Sequence, residues 1–102
     1  MLIVDSQIHL WQNGKMSAHH RQIPTYSVDD ALAEMATGGV DCAVIHPPRS
    51  VGDATNDLAV DAVRRHPGRF CILGNFDLLA PDREQIVARW RERPGMLGFR
   101  FP

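Results

Sequence analysis

The sequence predicts an α/β fold built on parallel strands. Three observations carry that prediction: four short apolar runs read as strands, three amphipathic stretches of helical period lie between them, and Gly- or Pro-containing breaks mark the joins. Strand–helix–strand alternation sets successive strands parallel and joins them by right-handed crossovers.

The first strand is read over residues 2–9, where Leu2-Ile3-Val4 leads into Asp5, Gln7 and His9 at two-residue spacing. Side chains two apart on an extended strand share a face, so one strand can offer a carboxylate, an amide and an imidazole together. Residues 12–26 lack periodicity, contain Asn13-Gly14 and Pro24, and read as a loop. Ser27 with Asp30 three positions on forms a capping-box-like helix start. Val28, Ala31, Leu32 and Met35 repeat at helical spacing, and Gly38-Gly39 stops the helix. Cys42-Ala43-Val44-Ile45 is a continuous apolar run, as in a strand buried on both faces, and ends at His46-Pro47-Pro48.

A second helix is expected from about Ala54 to Arg65, with Leu58, Ala59, Ala62 and Val63 on one stripe, closed by His66-Pro67-Gly68. Phe70 to Phe76 forms the third strand. Pro81-Asp82 opens a third helix, with Ile86, Val87 and Trp90 facing inward, and Pro94-Gly95 ends it. Met96 to Phe101 is the fourth strand. The order is βαβαβαβ within one domain spanning 1–102.

The 102 residues suit one small domain, and 44% apolar with 23% charged residues is the composition of a soluble globular chain. A net charge of −1 gives no electrostatic footprint for nucleic acid or an anionic membrane. No run approaches the length of a membrane span, and no signal-peptide pattern opens the chain. A cytoplasmic location is expected, with Cys42 and Cys71 as buried thiols in a reducing compartment. Four parallel strands cannot close a barrel, since a complete (β/α)₈ barrel takes about 250 residues. The pattern therefore reads as the N-terminal half of a parallel (β/α)₈ barrel, strands one to four of eight. A small open four-stranded sheet is the alternative.

Four ordered stretches carry a family resemblance: Ile3-Val4-Asp5-Ser6-Gln7-Ile8-His9-Leu10-Trp11; Asp41 to Ile45 followed by a loop to Asn56-Asp57; His66-Pro67-Gly68-Arg69-Phe70; and Leu97-Gly98-Phe99-Arg100-Phe101. Together they resemble the amidohydrolase-related family, in its lactonase-like branch. The resemblance implies a barrel hydrolase acting by water attack on a lactone or related carboxylic ester. It also implies a His-X-His metal motif on strand one, further ligands on strands five and six, and an acid/base aspartate on strand eight. Here Gln7 stands at the first histidine position, and a carboxamide is a poor zinc ligand, so no metal or other cofactor is expected.

His9 and Gln7 are the catalytic candidates. In the mechanism the resemblance implies, His9 with an Arg stabilises the developing oxyanion. Arg100, His46, Asn56 and Asn75 are the substrate-binding candidates, because strand C-terminal ends and the loops after them form the mouth of such a barrel. A guanidinium at Arg100 can grip a carboxylate or lactone oxygen, or alternatively pair with Asp5. Asp5 can fix the tautomer of an imidazole by accepting its N–H, or alternatively bond backbone amides. Arg49 and Asp77 are further mouth positions. His19-His20 is a weak metal pair on a loop, Trp11 packs the rim, and Arg89, Arg91 and Arg93 form a solvated helix face. The expected partner is a small carboxylate or lactone, with self-association or a missing C-terminal half completing the sheet. Two other readings stand beside hydrolysis: a catalytically inert fragment or subunit that needs a partner, and a metal-dependent decarboxylase of the same family.

Overall fold

The computed structural model describes residues 1–48 and 55–101. The elements follow in the expected order: β1 (Val4–Ile8), α1 (Val28–Gly38), β2 (Cys42–Ile45), α2 (Thr55–Arg65), β3 (Phe70–Asn75), α3 (Arg83–Ala88), a single 3₁₀ turn (Trp90–Glu92) and β4 (Met96–Arg100). The sheet has the order β1-β2-β3-β4, and every neighbouring pair is parallel.

That order decides the architecture. A doubly wound sheet reverses its strand order at a switch point, and this one does not. Right-handed crossovers taken always in one direction deposit every helix on the same face. The burial pattern agrees. Ala43 and Ile45 of β2, Phe70 and Ile72 of β3 and Met96 of β4 are buried in one cluster with Val28, Ala31 and Met35 of α1 and Ala59, Val60 and Ala62 of α2. Their alternates on the opposite face, Val44, Cys71 and Leu73, are only half-buried. Removing Ile45 and Ile72 completely from solvent contributes about 2–3 kcal/mol each.

Local chemistry explains the helix ends. Ser27 Oγ accepts the Asp30 N–H at 3.1 Å, and the Asp30 carboxylate accepts the Ser27 N–H at 2.9 Å, which is the predicted capping box. Gly39 closes α1 at φ 72°, a left-handed conformation that glycine takes without strain. Gly74 serves another purpose: a Cβ there would lie 2.7 Å from both Met96 and Trp90, so the β3 backbone can sit under the Trp90 ring only without a side chain.

Several expectations need correction. The third helix is not continuous: it breaks at Arg89 and resumes as the 3₁₀ turn, whose Trp90 Nε1 donates to Gly98 O at 3.1 Å. Val87 faces outward at 46% exposure rather than inward. The two thiols are half-exposed, because both lie on the face without helices. Asp5 also falls out of phase with Gln7 and His9. A register shift between Asp5 and Ile8 interrupts the alternation, and the Asp5 carboxylate instead accepts the Gln7 N–H at 3.0 Å. Arg93 pairs with Asp57; Arg89 pairs with Glu92 at 2.9 Å but, like Arg91, stays exposed to solvent as expected. Among the described residues no helix is long and apolar enough to cross a membrane.

Candidate functional site

Parallel strands bring all their C-terminal ends to one rim, and the polar residues of this chain gather there. Gln7 and His9 flank Ile8 at the end of β1. In β3 and β4, a register shift after Ile72 places Asn75 directly opposite Arg100. Parallel partners share a face, so both project from the side without helices.

His9 is the best-defined group. Its Nδ1 donates to the backbone carbonyl of His46 at 2.6 Å, which fixes the tautomer and leaves an Nε2 lone pair. The Gln7 side-chain amide lies 3.4 Å from that Nε2 and donates weakly to it. Burial holds the His9 pKa below the ordinary imidazole value. The bond to His46 opposes this, and the positive fields of Arg100, His20 and His46 reinforce it. Neutral His9 is therefore an acceptor: it can take a proton or bind a cation. It is not the hydrogen-bond donor that an oxyanion needs, so that part of the expected mechanism does not suit this geometry.

His46 is buried, with Nε2 donating to Ser6 O at 3.0 Å and its own backbone N–H donating to Ile8 O at 2.8 Å. It ties β2 to the end of β1 and carries the carbonyl that orients His9. Asn56 is similarly engaged. Its Nδ2 donates to Asn75 O and its Oδ1 accepts the Asn75 N–H, each at 3.0 Å, so the start of α2 grips the end of β3. Arg100 is half-buried, no ion pair joins it to Asp5, and among the described residues nothing hydrogen-bonds its guanidinium. Asp77 is exposed and caps its own turn by accepting the Leu79 N–H at 2.9 Å. Arg49 lies outside the described residues.

The expected loop is an ordered arm rather than a tether. Trp11 and Tyr26 exchange two backbone hydrogen bonds of 3.1 and 2.9 Å and stack with ring centroids 5.2 Å apart. Trp11 is buried there, in keeping with rim packing. The loop brings His20 against His9, with centroids 5.2 Å apart and planes at 67°. Sequence reading missed this neighbour. The only signal was the pair of adjacent histidines, which spacing alone cannot aim.

The donor set does not fit a resident divalent ion. Gln7 turns an amide N–H₂ toward the one lone pair that His9 offers, and among the described residues no three His, Cys, Asp or Glu groups converge. A groove of about 380 Å³ lies elsewhere, lined by Gln85, Ile86, Arg89, Trp90, Arg93 and Met96 on the flank of α3 and β4.

No family model matches the sequence, and no curated protein sequence matches it. A solved structure does. The fold resembles that of a probable 2-pyrone-4,6-dicarboxylic acid hydrolase from Acinetobacter baumannii, crystallised with citric acid bound, with a TM-score of 0.71 at 15% identity. The match covers 99% of this chain and 38% of that one, so the chain spans well under half of its structural neighbour. The chain thus has an α/β fold with a four-stranded parallel sheet that corresponds to part of a TIM-barrel hydrolase.

Proposed function

We propose that the chain is the N-terminal half of a (β/α)₈ hydrolase whose substrate is a lactone or related ester bearing a carboxylate. The observation that carries this reading is the presence of unlike groups at one rim: a neutral imidazole on β1 whose Nε2 is an acceptor, and a guanidinium on β4 that no described residue hydrogen-bonds. Arg100 suits a substrate carboxylate or the carbonyl oxygen, where developing negative charge needs a donor. His9 suits a proton-accepting role toward water or toward a group that orients water. Gln7 steers the lone pair, while His46 and Asn56 hold the strand ends that carry His9 and Asn75. The likeness to a dicarboxylate hydrolase supports the ligand class, and the sequential strand order supports the barrel.

The open edges of β1 and β4 favour a second reading, in which the chain is a subunit that works only with a partner. Leu2, Ile3, Val4, Leu97 and Phe101 are exposed along those edges. Exposed apolar strand edges invite pairing.

The test of the site is citrate titration followed by NMR or calorimetry. Binding that weakens about tenfold or more in Arg100→Met is expected, the loss of a charge-assisted pair. The test of the reaction is a chain completed by four further strands, in which His9→Ala lowers kcat/KM for a dicarboxylate lactone about 10²-fold. Citrate binding that is absent, or indifferent to Arg100, would refute the proposal.

A further inference from the structure

We infer that His20 is a ligand-contacting, specificity-determining residue of the rim site, donating a hydrogen bond to an anionic oxygen held between it and Arg100. This inference rests on the proposed function and extends it, because it assigns an anion-binding role to a loop residue that no strand position would reveal.

Three observations converge. The first is placement. The His20 ring stands edge-on to His9 at 5.2 Å, so it is a direct neighbour of the imidazole that carries the acceptor Nε2. The second is preorganisation. His20 Nδ1 lies 2.7 Å from Ser17 Oγ, and Gln22 Nε2 donates to the carbonyls of Ser17 and His20 at 2.9 and 2.8 Å. A turn that brings the His20 N–H to Ser17 O at 3.0 Å completes the arrangement. In the tautomer proposed for His20, the Ser17 hydroxyl donates to Nδ1 and the proton sits on Nε2, so that His20 offers a donor where His9 offers an acceptor. The loop is fixed at its base as well. Trp11 Nε1 donates to Ile23 O at 2.8 Å, and Gly14 N–H donates to Pro24 O at 2.9 Å.

The third is charge. Among the described residues, the groups whose fields reach His9 are Arg100, His20 and His46, all of them basic. The carboxylates nearest in sequence are occupied elsewhere: Asp5 by the Gln7 N–H, Asp29 by Arg65 at 3.8 Å, Asp30 by its cap, and Glu34 by Arg21 and Tyr26 at 2.6 Å each. A cluster of basic groups with no counter-ion among the described residues favours an anion from outside. A carboxylate spans such a pair well, since one oxygen can accept from the guanidinium and the other from an imidazole N–H.

Citrate is the probe, with its trimethyl ester as the uncharged control. In His20→Phe, which keeps a ring against His9, citrate affinity is expected to fall about tenfold or more. His20→Gln, which keeps a donor, is expected to recover part of that loss, and the trimethyl ester to bind neither variant nor the parent. A ligand-free readout accompanies this: His20 is one of the neighbours that hold the His9 pKa down, so the His9 imidazole should titrate at higher pH in His20→Phe. If the parent binds citrate, Arg100→Met weakens it and His20→Phe does not, this inference fails while the proposed function survives. If the parent does not bind citrate, both fail.

Discussion

Asn56 offers the sharpest test of how the rim is held. Its carboxamide spans both backbone groups of Asn75, donating to the carbonyl and accepting from the N–H at 3.0 Å each, in a half-buried setting. Asn56→Ala removes both bonds. At about 1 kcal/mol each, the loss is about 2 kcal/mol. Unfolding entropy of about 2.1 cal/mol/K per residue gives roughly 0.21 kcal/mol/K for this chain, so the expected fall in Tm is about 9 °C. Asn56→Asp discriminates further. It keeps the acceptor for the Asn75 N–H but sets a second oxygen against the Asn75 carbonyl. That variant should lose at least as much at pH 7 and recover part of the loss in acid, when the carboxyl gains a proton to donate. Calorimetry at pH 7 and pH 4, against the parent at both values, measures this. A Tm change under about 2 °C in Asn56→Ala, or an Asn56→Asp variant as stable as the parent at pH 7, would refute the clamp. Asn56 would then return to the role of direct substrate contact that the sequence suggested.

Two other expectations follow from the structure. Burial lowers the His9 pKa in the folded chain, so the unfolded chain takes up a proton first as pH falls. The His9 contribution should be complete above the ordinary value of 6.5 and be lost as pH drops through its lower folded value; His9→Gln should flatten that part of the stability–pH profile, and an unchanged profile would argue against a desolvated imidazole. The exposed edges of β1 and β4 should drive self-association, seen by sedimentation as a concentration-dependent rise in mass, and a strict monomer across the micromolar range would count against the partner reading.

The fold was legible where one local signal had one structural meaning. Ser27 and Asp30 capped α1 as expected, and the unbroken run Cys42–Ile45 became a strand flanked on both sides, though buried on one face and not on two. The sites of failure are those where distant residues decide. Trp90 reaches Gly98 and packs over Gly74, and that demand converts the end of the third helix into a 3₁₀ turn, which helical spacing cannot foresee. Asp5 left the phase of Gln7 and His9 because a register shift in β1 depends on its pairing with β2. At the rim, sequence located His9, Gln7 and Arg100 correctly on strand ends. It did not show that His46 and Asn56 are spent on backbone, or that His20 arrives from a loop, because those facts concern what each side chain meets across the fold.

The strict succession of strands has a consequence for how the chain is made. Each strand pairs only with those before and after it in sequence, so every new strand docks on an edge that its predecessor has just created. The entropic cost of each closure depends on one crossover and grows only slowly with its length. Synthesis from the N-terminus can therefore lay down the sheet in the order in which the ribosome delivers it. The growing edge passes from β1 to β4, and wherever growth pauses, the last strand waits as a template. Arg100, at the end of β4, places a charge beside the edge that this strand offers to the next.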